Sequence, residues 1–420
     1  MIDLAATHND ATPLERGLAM IQQRRAAVGH SVELHVYHGD DPVAQDVPIP
    51  AETGSTLLIG IASDRLRVGP VLSRTNGGCV GCLSHWIAHN RPDASRWRQI
   101  AQLKGSPDLG TYPWTPAAVD ALLVTVEAAI DAADPQTFHD IEIDSLAVTP
   151  HSFLRYPGCT HCDEIPLDGP DFVMRPSGAV QKQGASVFRT QKLASVAALR
   201  DSYVDHRVGL VRHMYRDFTS KMLPMWGAET KLTASEEVEI GFGRAESGQT
   251  AEAVAILESL ERFCGLLPRN RAASVRGSYS GLSEAGEPVV DPRDFLLSEE
   301  NQHSEPGYRL PPYSPDLECD WLWAYSFKHD GPVLVPQQFC FYSGGLTPRD
   351  ERYVIETSNG CALGGAYEEA IFHGLLELIE RDAYMTRWHV KGSPQRIELN
   401  DPAMPQVARL HARATAEGFE

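Results

Sequence analysis

Apolar positions along this chain follow two periods. Helical spacing comes first at Leu14, Leu18 and Ile21, with Gln22, which predicts a helix from Pro13 to Val28 with Gly29 as its stop. The clearest early helix runs from Pro113 to Ala133: Pro116 stands near its start, and Val119, Leu122, Leu123, Val126 and Ala129 share one face. Gln191 to Ser202 reads as a further helix, Gln249 to Cys264 as a strongly amphipathic one ended by Gly265, and Pro402 to Glu417 as the last. Strand patterns lie at Ser55 to Ala62 and Leu66 to Leu72, bracketed by Thr53-Gly54 and Ser63-Asp64. Others follow at Ile141 to Val148, Gly209 to Arg216, Asp320 to Ser326 and Gly331 to Tyr342. Asp163 to Ala179, rich in Pro, Gly and acids, reads as a linker.

At 420 residues the chain is long enough for two or three domains, and 42% hydrophobic content supports real cores. The 56 acidic residues against 37 basic ones give a net charge of -19, which argues against non-specific binding to nucleic acid or to an anionic membrane. The N-terminus lacks a basic segment followed by an apolar one, and no apolar run approaches the ~20 residues of a membrane span. A globular cytoplasmic protein is the expectation.

Four of the eight cysteines fall into two pairs, Cys79-x-x-Cys82 and Cys159-x-x-Cys162, each on a Gly-containing turn. Tetrahedral sulfur suits Zn2+, and one such knuckle brings two sulfurs to one ion. Four protein ligands close the coordination shell, so a structural zinc site is favoured, with His85 and His161 as spare ligands. Two separate redox dithiols are the alternative, and they leave the matched pairing unexplained.

Between Ile355 and Trp388 a Ser-Asn-Gly turn passes through small residues into an acidic helix. A helix N-terminus suits an anion, and carboxylates deeper in the helix suit a hard cation. Glu377-x-x-Glu380-Arg381 in this helix repeats Glu258-x-x-Glu261-Arg262, and residues three apart share a helical face. One copy is ordinarily a solvated face with i,i+4 ion pairs. Two facing copies would gather four carboxylates, a cluster tolerable around Mg2+, which shares its oxygen shell with nucleotide phosphates. ATP follows, with Arg262 and Arg381 able to reach phosphate oxygens. Asn359 and Ser358 either contact the nucleotide or shape the turn; Glu369 is either a polar contact or an ordinary first-turn acid. His373, His389 and Cys361 read as core or rim residues, and no catalytic base is identified.

SNGCALGG, EEA and GLLELIERDA, with AEAVAILESLERFCG upstream, closely resemble the YcaO family of ATP-dependent peptide-backbone-modifying enzymes. VGPVLSRTNGGCVGCLSHW, with YPGCTHC, resembles the zinc-bearing E1-like region that precedes YcaO in azoline-forming cyclodehydratases of ribosomal peptides. The resemblance implies an α/β (α+β) fold: an E1-like docking domain over 1–165, a linker over 166–185, and a YcaO domain over 186–420 that continues past Glu420. It implies that a Cys, Ser or Thr of a precursor peptide attacks the preceding carbonyl, ATP phosphorylates the oxyanion, and phosphate leaves to give a thiazoline or oxazoline. The family's Mg2+ ligands carry over onto Glu258, Glu261, Glu377 and Glu380, and its nucleotide contacts onto Arg381, Glu369 and Asn359. Residues 1–75 show no peptide-clamp winged helix, so leader binding is expected of a separate partner protein; a homodimer is left open. Thioamide or amidine formation, and a non-catalytic zinc-binding scaffold, are the competing readings.

Overall fold

A computed structural model of the chain describes residues 13–27, 32–38, 54–62, 64–73, 79–91, 115–162, 165–185, 187–219, 222–231, 238–268, 271–295, 301–342, 348, 351–355, 357–395, 397, 399 and 404–419. Gly29, Thr53, Ser63, Gly77, Gly78, Pro113 and Pro402 lie outside the described residues. Two compact units are present: Met1–Ile165 with Ala197–Met214 and Glu229–Glu239, and Pro166–Val196 with Tyr215–Ala228 and Ile240–Glu420.

The first unit is built on helix α1 (Pro13–Ala27), strands β1 (Val32–His38), β2 (Ser55–Ile61) and β3 (Arg65–Ser73), helices α2 (Val80–Asn90) and α3 (Pro116–Ala132), and strands β4 (Thr137–Glu142) and β5 (Val148–Ser152). The strands form one sheet in the order β1-β2-β3-β4-β5, with β1 parallel to β2 and the other neighbours antiparallel. α3 starts where Thr115 accepts the Ala118 amide and Pro116 supplies a preset φ; Ala133, left-handed at φ 48°, closes it. The apolar faces of α1 (Leu14, Leu18, Ile21) and α3 (Leu122, Val126, Ala129, Ile130) share a core with Leu34, Leu57, Ile59, Leu66, Val68 and Ile141.

Two expectations change here. The strand expected over Ile141 to Val148 is a hairpin whose ends are cross-strand partners, Ile141 opposite Val148. The apolar alternation runs through its turn, where Leu146 is left-handed at φ 57° and donates to the Glu142 carbonyl. The first cysteine pair is no free turn: Cys79 caps α2 and Cys82 lies in its first turn. The chain also carries β1, whose Leu34 and Val36 are buried and alternate with Glu33 and His35.

Onward, α4 (Val196–Tyr203) precedes β6 (His213–Asp217), β7 (Met225–Lys231) and β8 (Val238–Arg244), hydrogen-bonded in the order β6-β7-β8. Helix α5 (Gly248–Leu266) begins with Ser247 accepting the Thr250 amide. It lies directly on β8: a Cβ on Gly243 would come within 1.7 Å of the Ala251 carbonyl oxygen. Gly265 sits inside α5 and does not end it; the Tyr342 ring and Cys361 Sγ, 2.8 and 3.3 Å from where its Cβ would stand, explain the missing side chain. Then come β9 (Val275–Gly277), α6 (Tyr279–Glu284), β10 (Cys319–Ser326), β11 (Gly331–Pro336), α7 (Gln337–Cys340), α8 (Tyr367–Val390) and α9 (Pro405–Ala416). β9, β10 and β11 form an antiparallel sheet over Cys319, Trp321 and Leu334. The strand expected to reach Tyr342 stops at Pro336, which caps α7.

Candidate functional site

In the first unit the sequence-distant pairs Cys79/Cys82 and Cys159/Cys162 meet. All four sulfurs lie within 4.8 Å of one another, with separations of 3.9 Å (Cys79 to Cys82), 3.7 Å (Cys79 to Cys159), 3.2 Å (Cys82 to Cys162) and 3.1 Å (Cys79 to Cys162). No disulfide joins them. A tetrahedral ion with bonds of ~2.3 Å needs sulfurs about 3.8 Å apart, which the Cys79/Cys82 and Cys79/Cys159 separations match and the two shorter ones would reach by opening; the four thiols are a donor set for a tetrahedral metal. The Tyr156 amide donates to Cys82 Sγ at 3.2 Å. Burial pushes the Cys159 thiol up to about 11, and the Cys82 thiol together with burial pushes Cys79 up further. Without a cation these groups stay protonated, and a bound metal reverses that preference. A Cβ on Gly81 would stand 2.7 Å from the His161 ring and 2.9 Å from Cys159 Sγ, so the knuckle closes only on glycine. His85 and His161 group with Cys159 beside the four sulfurs.

The acidic site lies within the second unit, where α5 and α8 bring their Glu-x-x-Glu-Arg segments together. The two copies share a local design. In each, the first glutamate pairs with the arginine four residues on, Glu258 with Arg262 at 2.8 Å and Glu377 with Arg381 at 3.4 Å. In each, its other oxygen accepts a backbone amide, from Phe242 at 3.1 Å and from Gly360 at 3.0 Å. Glu261 accepts the Leu363 amide at 3.0 Å. Burial, opposed by that amide and reinforced by the charges of Glu258 and Glu377, lifts Glu261 to about 7. Three carboxylates therefore feel one another. Glu380 is exposed one turn further along α8.

The turn before α8 is held against it by glycine. Gly360 has φ +84°, and a Cβ on Gly374 would come within 2.5 Å of the Gly360 carbonyl oxygen. Asn359 is exposed at the tip, and Cys361 donates its amide to Ser358. Burial, with Glu261 and Glu377 nearby, raises the Cys361 thiol to about 11.

Glu369, in the first turn of α8, is buried. It accepts from Arg189 Nη1 at 2.9 Å, from the Thr190 amide at 2.7 Å and from the Thr190 hydroxyl at 2.6 Å. Burial raises this carboxyl, but those donors outweigh it and hold it at about 2. Glu368 takes the Ser177 amide and hydroxyl, both at 2.6 Å. Adjacent acids thus tie residues 177 and 189–190 to the start of α8. His373 meets the Phe188 carbonyl at 3.1 Å, which gives it a packing role at the rim. Sequence reasoning missed Phe242, Leu363, Arg189, Thr190 and Ser177. The amides carry no side-chain signal, and the other partners stand far from α8 along the chain.

Residues 242–420 match the family described as YcaO cyclodehydratase, binding ATP and Mg2+. This second part of the chain is thus similar to the YcaO family. Both Glu-x-x-Glu-Arg segments fall inside the matched YcaO residues. The fold is similar to a heterocyclase solved with substrate and cofactor (TM-score 0.70, 19% identity, covering 96% of this chain and 60% of that one). It is also similar to the heterocyclase TruD (TM-score 0.64, 17% identity, covering 97% and 58%). An uncharacterized protein of Methanothermobacter thermautotrophicus is 26% identical over 253 residues, 59% of this chain and 55% of that protein. The chain thus spans somewhat over half the length of these relatives. The matched structures bear out the expected α/β (α+β) fold. Among the described residues no helix is long and apolar enough to cross a membrane.

Proposed function

We propose that this chain is a YcaO-type enzyme that supports ATP- and Mg2+-dependent cyclodehydration of Cys, Ser or Thr residues in a ribosomal precursor peptide. The observation that carries the reading is the electrostatics of Glu261. Burial and the charges of Glu258 and Glu377 lift its carboxyl to about 7, and the three carboxylates, each with one oxygen on a main-chain amide, form a crowded set that a bound cation would relieve. Glu258, Glu261, Glu377 and Glu380 would hold Mg2+, with Arg262, Arg381 and Asn359 toward the phosphates and Glu369 fixing the start of α8. Bound magnesium would screen the charge that builds on the transferred phosphoryl group.

The chemistry follows in order. The peptide side chain releases its thiol or hydroxyl proton to solvent as its sulfur or oxygen adds to the preceding carbonyl carbon, and the resulting oxyanion takes the γ-phosphoryl of ATP with ADP as leaving group. Loss of phosphate and of the amide proton then closes the C=N bond of the azoline. The protein's task is to position and to neutralise charge, which suits a site of carboxylates and guanidiniums with no covalent nucleophile. The four cysteines would hold a structural Zn2+ in the E1-like unit, a separate protein would deliver the leader, and the reaction would run in the cytoplasm.

Mass spectrometry of a Cys-containing precursor incubated with the chain, ATP, Mg2+ and a leader-binding partner tests this. The expected product has lost one water per ring, and Glu377→Gln abolishes both the loss and phosphate release. Water loss that persists without ATP, or nucleotide binding undiminished in Glu377→Gln, would overturn the reading.

A further inference from the structure

The first unit holds a second group of metal-type donors, away from the cysteines, on the sheet face opposite the α1/α3 core. Strand register puts it there. Arg67 is paired with Asp140 across β3 and β4, and Phe138 with His151 across β4 and β5. Alternation turns all four away from Leu66, Val68 and Ile141. The His151 ring stacks on Phe138, centroids 5.1 Å apart, and Arg67 holds Asp140 through bonds of 2.9 and 3.3 Å. A cavity of about 260 Å³ opens over this face. Its wall carries four carboxylates, Asp64, Asp140, Glu142 and Asp144, against the guanidiniums of Arg65 and Arg207. With Arg67 holding Asp140 from within, the wall keeps a net negative charge.

Three donors converge beside it: one atom each of His151, Asp205 and His206 lies within 4.8 Å of the others. Asp205 is aimed from behind, because its Oδ1 accepts the amides of Arg207 at 2.7 Å and Val208 at 3.0 Å. Its Oδ2 then meets His151 Nδ1 at 2.7 Å. On the far side of the ring, Nε2 faces Asp140 Oδ2 at 3.9 Å. An imidazole with one nitrogen in a donor cluster and the other toward an anchored carboxylate has the surroundings of a metal-bound histidine, whose second nitrogen is oriented by an outer carboxylate. Two imidazoles and a carboxylate make the nitrogen/oxygen set that zinc takes where one coordination position stays open.

We propose that His151, Asp205 and His206 form a second divalent-metal site of zinc type, with its fourth position facing the cavity and Asp140 orienting His151. Binding displaces the proton shared between His151 and Asp205. The 2.7 Å contact then widens, because ligand atoms around a tetrahedral ion with bonds of ~2.0 Å stand about 3.3 Å apart. The open position takes water or an anionic oxygen beside Arg65 and Arg207. The site is independent of the YcaO reading, which rests on the other unit.

Titrating the metal-stripped full chain with Co2+ tests it, because the visible spectrum reports ligand type. Two equivalents are expected: one with intense thiolate-to-metal charge transfer, one with only the weaker d–d bands of nitrogen and oxygen ligands. Asp205→Asn and His206→Ala, the latter at an exposed residue, should each weaken the second by at least about tenfold while leaving the thiolate band unchanged. Cys159→Ser should do the reverse. The absence of a nitrogen/oxygen signal in the wild type, or its survival at full affinity in both variants, would overturn the proposal. Loss of the thiolate band alone would count against the cysteine site only.

Discussion

Replacing Glu261 by Gln separates what the acidic site costs the fold from what it gives to a ligand. Burial first, then Glu258 and Glu377, lift this carboxyl from 4.5 to about 7 against the opposing Leu363 amide. Between those values the folded protein holds a proton that the unfolded chain has released. Stability from this group is therefore greatest below about 4.5, falls as pH rises through 7, and stays low above. The shift corresponds to about 3 kcal/mol at full value, and solvent screening of a side chain that is only part-buried brings it to about 1–2 kcal/mol. Gln keeps nearly the same shape and an acceptor for the Leu363 amide but carries no charge. Urea unfolding without added Mg2+, followed by circular dichroism, should find Glu261→Gln more stable than wild type by about 1–2 kcal/mol near pH 8, with the gain vanishing near pH 4. Mg2+ with ATP should stabilise the wild type and not the variant. A variant less stable than wild type near pH 8, or a gain equal at both pH values, would refute the charge-crowding account.

Two further perturbations address neighbouring parts of the site. Glu369 is held at about 2, so its contribution is complete above 4.5 and is lost as pH falls through about 2; Glu369→Gln should cost about 2–3 kcal/mol near neutrality in thermal unfolding. That deficit should narrow toward pH 3, and one constant across the range would assign the loss to shape alone. Gly374→Ala should force the Gly360 carbonyl away, since the added Cβ would stand 2.5 Å from it, at a cost of about 1–3 kcal/mol. Calorimetric nucleotide affinity should fall with it, and undiminished affinity would exclude the 358–361 turn from the nucleotide site.

What the sequence made legible was periodicity and paired donors. The helices around Leu122 and Ile256, the strands around Ile59 and Leu66, both cysteine pairs and both Glu-x-x-Glu-Arg segments could be read from spacing. Boundaries failed where a residue had a tertiary reason for its identity. Gly265 looked like a helix stop, yet its small size makes room for Tyr342 and Cys361 inside α5. The 141–148 run looked like one strand because an apolar residue stands on each side of its turn. The His151, Asp205 and His206 group left no trace in spacing, because His151 reaches the other two only through the β5 register and the turn after α4.

The repeated segments gain their meaning from backbone as much as from side chains. Glu258, Glu261 and Glu377 each give one oxygen to a main-chain amide, donated by Phe242 of β8, Leu363 and Gly360 respectively. An oxygen so fixed cannot swing toward solvent, so each carboxylate is aimed before any ligand arrives. Two of the three amides come from the small-residue run after Asn359, and they explain why that run must approach α8 closely enough to exclude side chains at Gly360 and Gly374. The glycine-rich turn then serves the carboxylates first, through Gly360 and Leu363. In the proposed function a phosphate would meet the exposed Asn359 and the guanidiniums of Arg262 and Arg381, each paired with the first glutamate of its segment.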